Sequence, residues 1–218
     1  MFSMKNNEIS IIKVESDQLE EAARCHISAF QSSIASRLGI SYIRKRLEWY
    51  IVSEDRFLLG AKHEDEIIGY IGGAKGAGST SGMLQHAFWQ GVASILARPY
   101  LIFDLSLFRY VGLISKNIKK RLMSRQSTTE LSRTKISTSR DDLSIGLIVV
   151  GVSPNHRREG IGSILLEAFY DKCKELGARY GHLSVKTSNT NAIEAYKKNG
   201  WIVIDSNENS TSMRVEIV

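Results

Sequence analysis

The chain has 218 residues, a length that fits one domain or one domain with a large insertion. Hydrophobic residues make up 43% and charged residues 24%, as in ordinary soluble globular proteins, and no apolar run approaches the roughly 18 residues that a membrane helix needs. Residues 1–10 are polar and lack the apolar stretch of a secretory signal, so we expect a cytoplasmic protein.

The net charge of +6 is unevenly distributed. Between residues 116 and 140, eight lysines and arginines stand against Glu130 alone, whereas the rest of the chain is close to neutral. Such a stretch fits an anionic membrane surface, an acidic substrate or a nucleic acid, and a solvated loop is the alternative. Because the stretch contains no nucleic-acid-binding motif, we do not expect a nucleic acid partner.

The chain has two cysteines, which are candidate thiol nucleophiles or metal ligands, and five histidines, which are candidate metal ligands. Cys25 and Cys173 fall in helix-like stretches, which favours small core residues over a catalytic thiol or a disulfide scaffold. The histidines are scattered without the spacing of a metal site, so we expect no metal.

The first third of the chain predicts a strand, two helices and a hairpin. Residues 9–14 read as the strand, and Asp17 with Glu20 resembles a capping box. The apolar positions of the first helix recur at helical spacing, at Leu19, Ala22, Ala23, Ile27 and Phe30. Ser41 is predicted to cap the second helix. Residues 56–62 and 67–74, on either side of a polar turn, predict the hairpin.

Residues 79–140 interrupt this pattern and are predicted to be a helical and basic insertion. Two stretches in it predict helices, residues 83–97 and 104–123, and residues 124–142 predict a mobile linker. Regularity then returns, with strands predicted at residues 144–152, 180–186, 201–205 and 211–217, and helices at residues 160–176 and 191–199. The alternation indicates a mixed α/β sheet in a single domain over residues 1–218.

The strongest motif follows the apolar strand at residues 144–152 and opens the helix after it. Its sequence contains Arg157, Arg158, Gly160, Gly162 and Ser163. A glycine turn at a helix N-terminus directs several free backbone N–H groups one way, and the helix dipole adds positive potential. Glycines also let phosphate approach the backbone, so the motif predicts a pyrophosphate site.

The motif Arg157-x-x-Gly160-x-Gly162 resembles the acetyl-CoA pyrophosphate loop of the GNAT superfamily of N-acetyltransferases. A second family signature follows, formed by Asn189, Ala192, Tyr196, Gly200 and Trp201. The likeness is close over residues 143–205, which we take as the acetyl-CoA-binding core, and loose over residues 19–73. It implies an α/β (α+β mixed sheet) fold whose two central parallel strands splay apart.

The resemblance also implies roles for particular residues. The pantetheine arm of acetyl-CoA, as co-substrate, would pair with backbone near Val150 and Val152, and Asn189 would bind that arm. Tyr196 would protonate the leaving thiolate as general acid. The phosphates would lie on the N–H groups of a run of residues, Arg158, Glu159, Gly160, Ile161, Gly162 and Ser163. For Tyr196 a core aromatic, and for Asn189 a helix N-cap, are the structural alternatives.

The general base is not fixed by the motifs. Many relatives, including those that acetylate protein N-termini, carry a glutamate at the position of Ser184, so a protein-amine substrate of that kind is disfavoured. His182 shares a strand face with Ser184 and is the candidate base, with a core or surface histidine as the alternative. His86, Asp142 and a chain of water molecules are further candidates.

The expected activity is acetyl transfer to a primary amine of a small molecule. An amino sugar is the first choice, because residues 30–39 faintly resemble GNAT-like proteins of bacterial surface-polysaccharide synthesis. Acetylation of protein amines, and an acetyl-CoA-binding sensor or scaffold without catalysis, are the alternatives. The insertion 79–140 could border the acceptor groove, form a homodimer interface, or bring residues 83–121 onto a membrane surface.

Overall fold

The computed structural model describes residues 9–76, 81–97 and 143–218. Its helices and strands follow one another as β1 Ile9–Lys13, α1 Leu19–Ala29, α2 Ile34–Arg37, α3 Ile40–Ile51, β2 Arg56–His63, β3 Glu66–Lys75, α4 Ser81–His86, α5 Phe88–Leu96, β4 Ser144–Val152, a 3₁₀ turn Pro154–His156, α6 Ile161–Glu175, β5 Tyr180–Lys186, α7 Thr190–Lys198, β6 Ile202–Ser206 and β7 Ser210–Glu216. The strands predicted at residues 144–152 and 180–186 agree with β4 and β5 at both ends.

The seven strands form one sheet in the order β1-β2-β3-β4-β5-β7-β6. Every neighbouring pair is antiparallel except β4 and β5, which run parallel. The predicted hairpin is confirmed as β2 and β3, joined through a turn in which Glu64 has a φ of 54°. The expected mixed α/β sheet is therefore confirmed.

Two apolar cores lie on opposite faces of the sheet. On one face α1 and α3 cover β2 and β3, with the tyrosines Tyr42, Tyr50 and Tyr70 buried between them. On the other face α6 packs through Leu165 and Phe169 against the sheet. Each helix has its apolar residues on the side that meets the sheet, as the periodicity predicts.

The parallel strands β4 and β5 separate after a short common stretch. Only three positions pair, Ser144 with Tyr180, Ile145 with Gly181 and Gly146 with His182. Beyond Gly146, β4 continues to Val152 while β5 continues to Lys186, and no further pairs join them. The predicted splay of the central parallel strands is therefore confirmed, and it leaves a gap in the middle of the sheet.

A bulge in β4 lies beside this gap. The pairing of β3 with β4 shifts where Gly72 pairs with Val149 and Gly73 with Leu147, so Ile148 is the extra residue. A bulge bends a strand and increases its twist locally. The bend helps β4 turn away from β5, whose own pairing with β7 is regular from Tyr180 to Lys186.

The predicted capping box at the start of α1 is wrong. The residue before the helix is Gln18, and no side chain caps the first turn. The side chain of Gln18 instead accepts the N–H of Glu15 at 3.0 Å. Glu20 is not available to close a capping box because it pairs with Arg24 one turn later, at 2.7 Å.

The predicted cap of the second helix is also wrong, because a short helix precedes it. Helix α2 is capped by Ser33, whose hydroxyl accepts the N–H of Ser36 at 3.1 Å. Gly39, with a φ of 92°, then redirects the chain and α3 begins at Ile40, one residue before the predicted cap Ser41. The redirection needs a left-handed backbone, which glycine adopts without strain.

The described part of the insertion forms two helices where one was predicted. Residues 83–97 contain the end of α4 and all of α5, with Ala87 between them. The predicted helix over residues 104–123 and the linker over residues 124–142 lie outside the described residues. In the part of the chain that is described, no helix has the length and apolar character needed to cross a bilayer.

Candidate functional site

The turn between β4 and α6 has an unusual backbone conformation. After the 3₁₀ turn, Arg158 has a φ of 66° and Gly160 a φ of 85°, and α6 starts immediately afterwards at Ile161. For an arginine a left-handed conformation is uncommon and costs free energy. The turn is thereby folded back sharply, and it brings the start of α6 next to the end of β4.

The backbone amides at this helix start provide donors for an anion. The first N–H groups of an α-helix have no carbonyl ahead of them within the helix, and the dipole makes this end positive. Ser163 and Ile164 already donate their N–H groups to the carbonyl of Gly160, at 2.9 and 3.1 Å. The donors left for a ligand therefore lie between Arg158 and Gly162, one residue short of the predicted Ser163.

Two glycines leave space in front of these donors. A Cβ placed on Gly160 or Gly162 would meet no heavy atom within 4 Å. Neither glycine is therefore needed to fit a neighbouring part of the protein. An open surface over converging N–H groups suits close approach of phosphate oxygens, so the residues present fit a coenzyme pyrophosphate.

Arg157 holds the turn in place through its side chain. Its guanidinium donates to the carbonyl of Ala29 at the end of α1, at 2.8 Å, and its Nε donates to the carbonyl of Val152, at 3.4 Å. Arg157 belongs to the motif that predicts the pyrophosphate site, but here its side chain links the turn to α1 and β4. Arg158 is exposed and Glu159 contacts His156 at 3.2 Å.

The free edge of β4 faces the gap. Ser153, which follows the strand, donates its N–H to the carbonyl of Ile68 in β3 at 2.8 Å. Because backbone polar groups alternate in direction along a strand, Val150 and Val152 direct theirs away from β3. These are the two residues expected to pair with a pantetheine arm, and the gap has the shape of a missing strand between β4 and β5.

Tyr196 lies on α7, which follows β5. Its ring packs at 5.8 Å from the ring of Trp201, and it adjoins the core under α6. Burial, with a smaller contribution from Tyr170, raises the pKa of Tyr196 to about 12. The hydroxyl therefore keeps its proton at neutral pH, which is the state that a general acid requires.

Asn189 is the N-cap of α7. Its Oδ1 accepts the N–H of Ala192 at 3.3 Å, so the structural alternative considered for this residue is present. An amide side chain also carries two N–H donors. Asn189 is exposed, and capping leaves those donors compatible with a ligand bond.

Tyr170 supports the corner on which Tyr196 packs, although the sequence patterns did not single it out. The indole of Trp201 donates to its hydroxyl at 2.7 Å, and that hydroxyl donates to the carbonyl of Asn199, also at 2.7 Å. These bonds fix the corner between α7 and β6, and with it the ring on which Tyr196 packs. No signal in the sequence distinguishes Tyr170 from an ordinary helix residue, because its partner is 29 residues away.

His182 lies where the two parallel strands part. On β5 it pairs with Gly146 of β4, which is the last pair between these two strands, and with Arg214 of β7. Leu183 and Val185 belong to the core under α6, so alternation along β5 directs His182 and Ser184 to the opposite face. The hydroxyl of Ser184 is bonded to that of Ser210 at 2.6 Å.

The other candidate bases are less well placed or lie outside the described residues. His86 is 3.2 Å from Glu48, on the face of α3. Asp142 is outside the described ranges. Among residues 9–76, 81–97 and 143–218, no group of three or more histidine, cysteine, aspartate or glutamate side chains is arranged to hold a metal ion.

Both cysteines are buried in helices, Cys25 in α1 and Cys173 in α6. Burial raises the pKa of each thiol to about 12. A thiol with such a pKa holds almost no thiolate at neutral pH, so neither is suited to nucleophilic attack. Their prediction as small core residues is confirmed.

Comparison with known proteins gives one family and a set of similar folds. The model of the acetyltransferase (GNAT) family matches residues 136–201. A search of curated protein sequences finds no match.

Several solved structures align over nearly the whole chain. The PaiA N-acetyltransferase of Thermoplasma acidophilum, solved in complex with coenzyme A, is 15% identical with a TM-score of 0.53, and the alignment covers 95% of this chain and 98% of that one. The ribosomal-protein-S18-alanine N-acetyltransferase of Escherichia coli is 13% identical with a TM-score of 0.53, covering 96% and 94%. A protein of Pyrococcus horikoshii OT3 is 18% identical with a TM-score of 0.55, covering 96% and 98%. At these identities the likeness shows a shared fold.

Proposed function

On the premise that this chain belongs to the GNAT acetyltransferase family, which residues 136–201 match, we propose that it transfers the acetyl group of acetyl-CoA to a primary amine of a small molecule. One observation carries the proposal. The gap between β4 and β5 opens beside the glycine turn, with Tyr196 on the helix that follows β5. We propose that the glycine turn binds the phosphates, that the gap holds the pantetheine arm, and that Tyr196 is the acid.

The acetyl-CoA would lie with its phosphates on the amides between Arg158 and Gly162. Its pantetheine arm would extend along the free edge of β4, bonded to Val150 and Val152 as an added strand. This places the thioester within the gap, near the point at which β4 and β5 meet. Holding both substrates in one groove supplies much of the rate enhancement of such a transfer.

The reaction is a direct attack of the amine nitrogen on the thioester carbonyl carbon. A C–N bond forms, the carbonyl oxygen gains charge, and a backbone N–H of β4 stabilises that charge. When the C–S bond breaks, Tyr196 donates its proton to the leaving sulfur. The amine gives up one proton, and we propose His182 as the group that receives it, because it lies at the apex of the gap.

The same proposal covers the class of acceptor, the cellular location of the enzyme and the use of its exposed helical surface. An amino sugar is our first choice of acceptor, and Ser184, where protein-acetylating relatives carry glutamate, supports a small molecule over a protein amine. We further propose a cytoplasmic enzyme. For residues 83–121 we keep a homodimer interface or a membrane surface as alternative uses, which the 78% exposure of Trp89 in α5 supports.

The test is an acceptor screen on the wild-type protein and Tyr196→Phe. Release of free thiol from acetyl-CoA is measured over a panel of amines. We expect turnover with at least one small amine and a fall of roughly 10²-fold or more in kcat for Tyr196→Phe, because general acid assistance is worth about 10²–10⁴-fold. Coenzyme affinity should stay near that of the wild type.

Two outcomes would contradict parts of this proposal. Unchanged turnover in Tyr196→Phe would remove that residue from the mechanism. Tight binding of acetyl-CoA without turnover on any amine would instead support a non-catalytic sensor or scaffold.

A further inference from the structure

One cationic side chain on α3, that of Arg46, is partly buried and has no counter-ion among the described residues. Arg46 lies one turn from Tyr42 and one turn from Tyr50, and its Nε has no hydrogen-bond partner. Its guanidinium makes a long contact of 3.8 Å with the sulfur of Met83 and lies 5.9 Å from the ring centre of Tyr42. Neither contact neutralises a charge. Within the described ranges no carboxylate forms an ion pair with Arg46.

The carboxylates on the surrounding helices already have partners. Glu48 on α3 binds Lys45 and contacts His86 at 3.2 Å. Glu21 on α1 accepts the backbone N–H of Ile67 at 2.5 Å. Pairing Arg46 with either carboxylate would disturb these interactions. The guanidinium is therefore available to bind the anion of a ligand, because neither carboxylate is bound to it.

A second unpartnered donor lies one helical turn away. Tyr50 is 0% exposed, and its hydroxyl has no hydrogen-bond partner. The ring occupies the space that Gly72 leaves on β3, since a Cβ there would be 2.7 Å from it. Burial raises the pKa of Tyr50 well above its usual value, so the group stays protonated and can donate. Buried hydroxyls are seldom left unsatisfied, because desolvation costs free energy that only a partner returns.

Two titratable groups near Arg46, His26 and Tyr70, are uncharged at neutral pH. His26 and Tyr70 are hydrogen-bonded to each other in the same core. Burial, and then the charge of Arg46, lowers the pKa of His26 to about 3, and burial raises that of Tyr70. Of Arg46, Tyr50, His26 and Tyr70, which we call the Arg46 cluster, Arg46 carries the formal charge, while the carboxylate of Glu48 lies outside this group and is bound to Lys45.

The Arg46 cluster lies on the face of the sheet to which His182 also points. Tyr50 and Tyr70 belong to the core on the α1 and α3 side, and Ile148 and Val149 of β4 pack against that core. His182 points to this same face, whereas α6 covers the other. An acceptor on this side would have β4 and His182 at one end and the Arg46 cluster at the other.

We propose that Arg46 and Tyr50 bind an oxyanion of the acceptor, a carboxylate or a phosphate, so that the acceptor is an amine that also carries an acid group. This inference rests on the proposed acetyl transfer. A guanidinium offers a planar pair of donors that matches carboxylate and phosphate oxygens, and the Tyr50 hydroxyl adds a third donor. A small amino acid or the phosphate ester of an amino sugar has this chemistry.

The experiment compares matched acceptors that differ only in the acid group. One pair is an amino acid and its carboxamide, and the other is an amino sugar phosphate and the free amino sugar. For the wild type we expect kcat/KM to favour the acid-bearing member of one pair by about 100-fold or more, because a site with buried donors discriminates against a ligand that leaves them unpaired. The pair that shows the preference identifies the oxyanion.

The variants are Arg46→Gln and Tyr50→Phe, with Arg44→Gln as the matched control. Arg44 is an exposed arginine on the same helix. We expect Arg46→Gln to abolish the preference, Tyr50→Phe to reduce it about tenfold, and Arg44→Gln to retain it. Thermal unfolding without ligand should give Tyr50→Phe a Tm no lower than that of the wild type, because its hydroxyl makes no bond. A lower Tm would overturn the claim that this donor is unpartnered.

A preference that survives in Arg46→Gln, or none in the wild type for either pair, would overturn the inference. If no amine is acetylated, the proposed activity fails, and calorimetric titration of inorganic phosphate and acetate then decides separately on the oxyanion site. Binding that Arg46→Gln removes and Arg44→Gln retains would support the site. Equal binding to the three proteins, or binding to none, would overturn it.

Discussion

At the scale of single residues, the turn before α6 is the place where backbone conformation prepares the chemistry. Gly160 has a left-handed φ of 85°, whereas Gly162 lies inside the first turn of the helix without such a conformation. A Cβ on either residue would meet open space. Packing within the protein therefore does not explain why both residues are glycine, whereas close approach of a ligand does. Because only Gly160 has a positive φ, the effects of substituting the two glycines can be distinguished by experiment.

Gly162→Leu should weaken coenzyme A binding at least about 100-fold while leaving the protein folded. Leucine is a good helix former and its Cβ would meet no protein atom within 4 Å there, but its side chain would occupy the space above the amides. Calorimetry with coenzyme A and a thermal unfolding curve measure the two effects.

Gly160→Val should abolish coenzyme A binding too, and it should also lower the free energy of unfolding by about 1–2 kcal/mol, because valine is strained at a positive φ. Ordinary coenzyme binding by both variants would show that the turn is not the phosphate site.

At the scale of elements, strand β3 determines how closely the helices on both faces approach the sheet. Gly72 leaves room for Tyr50 on the α3 side, and Gly73 leaves room for Phe57 and Phe169 on the α6 side. A Cβ on Gly73 would be only 2.5 Å from Phe57. The centre of β3 therefore carries no side chain on either face, and this part of the strand lies next to the bulge of β4 that borders the gap.

Gly73→Val should lower the free energy of unfolding by roughly 2–4 kcal/mol. Overpacking a filled core displaces side chains and backbone, at a cost of about 1–3 kcal/mol or more, and two aromatic rings would have to move here. Denaturant unfolding measures the change, and Gly162→Leu is the control in which the added Cβ meets no protein atom within 4 Å. A stability equal to that of the control would mean that the two rings can adjust without cost.

At the scale of the whole molecule, a buried neutral histidine couples stability to pH. His26 is 8% exposed and shares a hydrogen bond with Tyr70. Burial, with a smaller effect of Arg46, lowers its pKa from 6.5 to about 3. The unfolded chain therefore binds a proton between these two values that the folded chain excludes. The resulting stabilisation is complete above the unfolded pKa of 6.5 and is lost as the pH falls toward 3.

His26→Gln should reduce this acid sensitivity, because glutamine does not titrate. Between pH 6.5 and pH 4.5 we expect the wild type to lose about 2 kcal/mol more of its unfolding free energy than the variant does, from a slope of about 1.4 kcal/mol per pH unit. Denaturant unfolding at several pH values measures both curves. Parallel curves would show that folding does not lower the pKa of His26.

The sequence by itself determined the elements that depend on local chemistry. The apolar run of β4, the glycine turn, the amphipathic α6, and the signature from Asn189 to Trp201 were all predicted in place, because periodicity and turn residues act over a few neighbouring positions. The same reasoning failed at Asp17 and Ser41, where a competing partner or a preceding short helix decides which residue comes before the helix.

Only the tertiary structure decided which groups share a surface. The bond of Arg157 to Ala29 and the bond between Trp201 and Tyr170 join distant parts of the chain. The lack of a hydrogen-bond partner for the Nε of Arg46 and for the hydroxyl of Tyr50 depends on burial. No pattern of neighbouring residues encodes these, because burial and hydrogen-bond partners are set by how the two faces of the sheet are covered. The splay of β4 and β5 is of the same kind, since it depends on how each strand pairs with others that are distant in the sequence.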